Sequence, residues 1–406
     1  MSLINTAKLA GFATGQWATI VVDALRDRLG TSIPFDASDF TQPEHLNKMI
    51  NNHGVEHLSG PAHISSVQKQ DIPSVSSNCN NVVLTIAQEG SPVLPQSLFV
   101  KLPLPSLLTR WFFNVIGSWE LESHFCKHVA PKVPLRTPKT YATHCEGSRF
   151  FLIQENLHDD PSVKLFTNPD MMTGPSLDIA RRCLDAFARL HACHYDLDTA
   201  GREAILPFSK HLFLGGQMGL ISRGLNRMSL DPCMKAAPGI IPPAIEASYR
   251  KTLENWDKML EFWFSGPLSL LHGDSHLGNF FVSGDEMGML DFQAVHWGKG
   301  IRDVQYFLIY SLPADILAAN EQELVRYYVE RRAVYGTAIN FDTTWQEYRS
   351  LTYQTLMTMV VSIGFGAMNE EQNALMAELL SRVVAAQLRV DYPQWLDDYL
   401  DKNPSQ

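Results

Sequence analysis

A chain of 406 residues with a formal net charge of −10 is too long for one comfortable core and is expected to fold as two parts, at roughly 100–200 residues per domain. That acidity excludes a nucleic-acid binder, which needs clustered Lys and Arg against phosphate, and 45% apolar against 19% charged residues excludes a disordered chain. The six cysteines are scattered without a C-x-x-C or metal-finger spacing, which points to a reduced, cytoplasmic setting.

The N-terminal stretch AGFATGQWATIVVDAL lacks a basic flank and is interrupted by Asp23. Neither a signal peptide nor a membrane span is expected there; it reads as an amphipathic helix within a helical extension over residues 1–60. The texture then becomes β-type. NNVVLTIA, the turn EGSP and QSLFVKL form an antiparallel hairpin, followed by the apolar stretch LLTRWFFNVIG, a short helix SWELESHFCKHV closed by Pro131, and the strand RFFLIQ. From PSLDIARRCLDAFARLHACHYD onward the chain is mostly helical, that segment starting behind Ser176 as N-cap. An aromatic helix, YRKTLENWDKMLEFWF, closes residues 200–265, and the tail from Val304 to Leu400 reads as three or four amphipathic helices.

Between these helices lies LLHGDSHLGNFF, residues 270–281, and ten residues after it Asp291 in MLDFQ. NFFV and MGMLDF flank SGDE as a tight hairpin. With Asp285 as the loop centre, Asn279 falls opposite Asp291, with Cβ atoms about 4.5–5.5 Å apart, and an amide oxygen and a carboxylate so placed suit Mg²⁺. Asp274, on the loop before the first strand, is left to act as a base. D-x-x-x-x-N followed by a strand-borne D-F is an arrangement that phosphoryl transfer uses.

HGDSHLGN and LDFQ resemble the catalytic core of the aminoglycoside phosphotransferase and choline kinase family, small-molecule relatives of protein kinases. HGD-x-H with LDFQ and D-x-x-YFL looks closest to the ecdysteroid-kinase-like and related bacterial members. The resemblance implies Asp274 as catalytic base, Asn279 and Asp291 as Mg²⁺ ligands, and Asp303 as a brace of the catalytic loop. It also implies Lys101 of LFVKL as the phosphate-binding lysine and Glu122 as its ion-pair partner, with Glu120 as rival. Backbone groups near Glu155 and Leu157 would bind the adenine edge. The turn PSVSSNCNN stands where the family carries a glycine-containing phosphate loop, so Ser76 and Ser77 become the candidate phosphate contacts. LLTRWFFNVIG is an insertion, packed on the first lobe or roofing the acceptor site.

The implied fold is α+β and protein-kinase-like: residues 1–157 form the helical extension and a β-rich, nucleotide-binding N-lobe, and residues 158–406 a mostly helical C-lobe. Its implied activity is transfer of the γ-phosphate of ATP or GTP to a hydroxyl of a small molecule. Only eleven residues separate Asp291 from Asp303, too few for a peptide-docking activation segment. Lys101 is expected to be a cleft residue that contributes little packing. His272 and His191 read as structural histidines, and Trp256, Phe262, Trp263 and Phe264 as core before pocket. Two rivals remain at this point. One is a metal-dependent hydrolase built on His272, Asp274 and His276. The other is a pseudokinase-like module that binds nucleotide without turnover.

Overall fold

The computed structural model describes residues 3–29, 37–55, 58–71, 79–104, 106–207, 216–366 and 373–404. In chain order the elements are α1 (Leu3–Leu29), α2 (Pro43–His53), β1 (Ile64–Asp71), β2 (Cys79–Gln88), β3 (Ser97–Pro103), α3 (Leu107–Ile116), α4 (Ser118–His124), β4 (Thr140–Glu146), β5 (Arg149–Glu155) and β6 (Val163–Leu165). Then come α5 (Asn168–Thr173), α6 (Leu177–Cys193), α7 (Thr199–Ile205), α8 (Gly216–Ala236), α9 (Pro243–Glu254), α10 (Trp256–Phe264), β7 (Ser269–Leu271), β8 (Phe280–Ser283), β9 (Glu286–Met289), β10 (His296–Gly298) and α11 (Ile301–Ser311). Four helices close the chain: α12 (Ala314–Val334), α13 (Phe341–Gly364), α14 (Asn373–Arg389) and α15 (Tyr392–Lys402). They divide into two compact units, both discontinuous. The first comprises Met1–Leu165, Glu203–His211 and Val282–Ala294; the second comprises Phe166–Arg202, Leu212–Phe281 and Val295–Gln406.

The first unit is built on a five-stranded sheet in the order β1-β2-β3-β5-β4, antiparallel throughout. Strand alternation sorts its residues. Leu98, Val100 and Leu102 of β3, Phe151 and Ile153 of β5, and Leu46 and Ile50 of α2 share one apolar core. On α4 the buried Trp119 stacks on Phe150 of β5 at 6.3 Å and on Phe113 of α3 at 5.5 Å. The apolar insertion is therefore a helix, α3, packed within the first unit. Its Trp111 stacks on Trp17 of α1 at 5.7 Å. Its buried Arg110 donates to Ser148 Oγ at 2.7 Å, and the same hydroxyl donates to the buried carboxylate of Asp23 at 2.7 Å.

The second unit is helical. Ser176 accepts from the Ile179 amide at 3.3 Å and starts α6 as the sequence predicts. α11 is buried along its whole length, so it serves as the core around which α6, α12, α13 and α14 pack. The expected aromatic helix is two helices, α9 and α10, broken at Asn255, whose side chain turns back to donate to the Lys251 carbonyl at 2.9 Å. The Asn255 amide keeps its own bond to the same carbonyl at 3.1 Å. Among the described residues the tail holds five helices, α11 to α15, where the sequence suggests three or four. Trp256 and Trp263 are both 1% exposed, which makes them core; Trp263 stacks on Tyr353 at 5.6 Å and meets Trp256 edge-on at 5.7 Å. No helix among the described residues is long and apolar enough to cross a membrane.

Trp263→Ala should remove a filled site that neighbouring rings cannot collapse into, at a cost of about 3–5 kcal/mol. Urea titration followed by far-ultraviolet circular dichroism should show the lowered midpoint.

Candidate active site

Lys101 sits in the middle of β3, paired with Asn81 on β2 and Leu152 on β5. Alternation directs it away from the core shared by Val100 and Leu102. On that side its ammonium lies 2.9 Å from Glu122 on α4 and 2.8 Å from Asp291. Glu122, and not its rival Glu120, is thus the carboxylate bonded to the lysine. The expectation of a loosely held cleft lysine is corrected: Lys101 is only 6% exposed, and it is held by two carboxylates that come from elsewhere in the chain. Burial opposes its charge, but Asp291 and Glu122 outweigh burial and hold it well above the usual lysine value. Burial also acts on Glu122, which is pushed up to about 7 against the pull of Lys101.

Asp291 adopts a left-handed backbone conformation, φ 66°, which Asp tolerates better than most residues. Phe292, next to it, stacks on Phe125 at 3.9 Å. The conformation also corrects the hairpin register. The loop between β8 and β9 is the two residues Gly284 and Asp285, with Gly284 at φ 57° as such a loop requires. Its centre therefore lies between those residues, not on Asp285. Asn279 ends a short 3-10 turn, Leu277–Asn279, and Asp291 lies beyond β9, so ladder pairing is not what places either side chain.

At the end of β5 the Glu155 amide donates to the Lys139 carbonyl at 2.9 Å, and its carboxylate accepts from Arg136 and from the Lys139 amide, at 2.5 and 2.6 Å. The Glu155 amide and carboxylate are therefore both engaged within the protein. Asn156 caps the turn that follows, accepting from the His158 amide at 3.3 Å; the Leu157 amide has no acceptor among the described residues. Ser76 and Ser77 lie outside the described residues.

In the second unit α11 holds the HGDSHLGN loop from below. The fully buried Asp303 accepts from the His272 amide at 2.6 Å and the Gly273 amide at 3.0 Å. Ser275 Oγ donates to the Asp303 carbonyl at 2.9 Å, and the Leu277 amide donates to Ser311 Oγ at 3.0 Å. Arg302 donates to the Gly273 carbonyl. His191, buried on α6, reaches Asp303 at 3.3 Å and the Tyr328 hydroxyl at 2.9 Å, so it is the core histidine the sequence predicts. Burial would raise the Asp303 carboxyl, but His191, with Arg302 and His272 adding to it, holds it below the usual carboxylate range.

The loop so braced carries Asp274, about a quarter exposed, with Tyr306 Oη donating to its Oδ1 at 3.0 Å. Asn279 Nδ2 donates to the Asp274 carbonyl at 2.7 Å, which leaves the amide oxygen as the acceptor a hard cation would use. His272 Nδ1 accepts from the Asp274 amide at 3.2 Å. That bond removes the premise of the hydrolase reading, in which His272, Asp274 and His276 converge on one ion. Among the described residues no group of three His, Cys, Asp or Glu is placed to hold a metal. Sequence reasoning assigned no role to Tyr306 or Arg302, although helical spacing puts Tyr306 one turn after Asp303.

Residues 96–335, more than half of the chain and every group named above from Lys101 to Tyr306, match the model of the ecdysteroid kinase-like family. The chain belongs to that family. As an ecdysteroid kinase-like protein it is a kinase-like small-molecule phosphotransferase by family, with the α+β, protein-kinase-like fold described above. No curated protein matches it. Among solved structures it is similar to an ethanolamine kinase of Plasmodium vivax (11% identity, 79% of this chain and 82% of that chain, TM-score 0.49). It is similar also to a choline kinase of Cryptosporidium parvum (12%, 83% and 90%, 0.46), and to an aminoglycoside phosphotransferase of Streptomyces rimosus (15%, 71% and 92%, 0.41).

Two predictions follow the charges of this ecdysteroid kinase-like chain. Lys101→Met strands a buried carboxylate and should cost on the order of 3–5 kcal/mol, whereas Lys101→Met combined with Glu122→Leu should recover much of that loss; thermal melts of both variants check the order. Asp303, held low in the folded state, contributes stability that is present above its unfolded value near pH 4 and is lost as pH falls toward the folded value. Asp303→Ala should therefore lower the urea midpoint at neutral pH and flatten its decline below pH 4.

Proposed function

We propose that the protein transfers the γ-phosphate of ATP, with GTP as the alternative donor, to a hydroxyl of a small-molecule acceptor. The observation that carries this reading is the buried ammonium of Lys101 bonded to both Glu122 and Asp291. A desolvated cation fixed on a strand and paired with a helix glutamate is the phosphate-binding device of kinase-like enzymes. Glu122 keeps Lys101 in place when a phosphate takes over part of its charge.

Asp274 is the general base. It accepts the proton of the acceptor hydroxyl while the hydroxyl oxygen bonds the γ-phosphorus and the bond to the leaving diphosphate breaks. Backbone groups near Glu155 and Leu157 serve the base edge of the nucleotide, and Ser76 and Ser77 its phosphates. Asn279 and Asp291 offer oxygen donors alone, which fits Mg²⁺; the ion supplies charge neutralisation on the phosphates. None of the six cysteines forms a disulfide, which suits a reducing, cytoplasmic setting.

Incubation with Mg²⁺, ATP and a library of hydroxyl compounds, followed by mass detection of phosphorylated product, tests the reading. Asp274→Asn should leave Mg·ATP affinity near wild type by calorimetry and slow turnover by about 10²–10⁴-fold. Nucleotide binding without turnover in the wild type would make the protein a binding module instead.

A further inference from the structure

The two carboxylate oxygens of Asp274 are not equivalent. Oδ1 accepts from Tyr306 Oη at 3.0 Å. Oδ2 has no hydrogen-bond donor among the described residues; His276 Nε2 lies 3.8 Å from it, beyond hydrogen-bond reach. Tyr306 itself is fixed. It is 4% exposed, with the Arg302 guanidinium 4.6 Å from its ring centre on one side and the Tyr310 ring edge-on at 4.3 Å. Burial, together with the charge of Asp274, pushes its phenol well above the ordinary tyrosine value, so it donates at any working pH.

A buried phenol needs a partner, and the same helix shows what an ordinary solution looks like. Tyr310, one turn on, donates to the Thr355 carbonyl at 3.0 Å. Tyr306 instead donates to the side chain read above as the base.

We propose that Tyr306 is a positioning residue for phosphoryl transfer: by holding Oδ1 it fixes the rotamer of Asp274 and makes Oδ2 the oxygen that takes the acceptor's proton. The inference rests on Asp274 being the base. In the step, the hydroxyl proton passes to Oδ2, the acceptor oxygen bonds the γ-phosphorus, the bond to the diphosphate breaks, and the Tyr306 proton stays where it is. A carboxylate free to turn presents either oxygen in shifting positions, and a misplacement of about 1 Å at a reacting group costs on the order of 10²-fold in rate.

The test measures phosphate release from Mg·ATP, with water as acceptor, in wild type, Tyr306→Phe, Tyr310→Phe, Asp274→Asn and the Tyr306→Phe/Asp274→Asn double variant. Circular dichroism and Mg·ATP calorimetry run on each. Tyr306→Phe should keep its fold and nucleotide affinity yet lose roughly 10- to 100-fold in kcat, while Tyr310→Phe stays within about twofold of wild type. In the Asp274→Asn background Tyr306→Phe should cost nothing further, because it acts through that carboxylate. The inference falls, with the base intact, if Tyr306→Phe turns over at the wild-type rate, if Tyr310→Phe loses as much, or if the loss recurs undiminished in the double variant. An Asp274→Asn variant as fast as wild type removes the base and this inference together.

Discussion

Asp303 is a carboxylate with no exposed surface, and its charge persists there because two amides, an imidazole and a guanidinium surround it. A buried ion without such partners would be driven to its neutral form. With them, Asp303 ties the His272 and Gly273 amides to the first turn of α11. Ser275 and Leu277 fasten the rest of the loop to the same helix, so the rigidity of a fully buried helix is transferred to a segment with no regular structure of its own. The exposed part of Asp274 can then be held to a fixed geometry on a loop, as a reacting group requires.

The β unit inverts the signs. There a cation is buried and the carboxylates surround it. Lys101 satisfies two acids from different parts of the chain, and the price of desolvating three charges is offset only because they lie together. Such an arrangement contributes little net stability, yet it fixes where strand, helix and the Asp291 turn must meet. The strained backbone at Asp291 is part of the same constraint, since a strand conformation would carry the carboxylate along the ladder direction instead.

Much of this was legible in the chain. The hairpin of β2 and β3, the Ser176 cap and the order of Lys101, Glu122, HGDSHLGN and LDF could be read because each is local or follows a motif. The role of Asp303 came through resemblance and reappears as hydrogen bonds. What escaped had non-local causes. The burial of Lys101 depends on an acid 190 residues away, so a lysine in a strand looked solvated. The left-handed φ of Asp291 has no marker in an apolar run, and helical periodicity gives no sign of the interruption at Asn255. Tyr306 was within reach, because the interval from Asp303 is one helical turn, but its partner is on a loop whose path the sequence does not specify.

The separation of Lys101 from Asp291 also bears on how the protein comes into being. A ribosome adding about 5–20 residues per second takes on the order of 10–40 s to cover that interval. During it β3 and α4 have emerged with one cation and one acid, while the segment Val282–Ala294 that belongs to their unit is still unsynthesised. The amino-terminal unit therefore cannot finish folding in the order in which it is made. The Lys101 site closes only after Phe166–Arg202 and Leu212–Phe281 of the helical unit have been made.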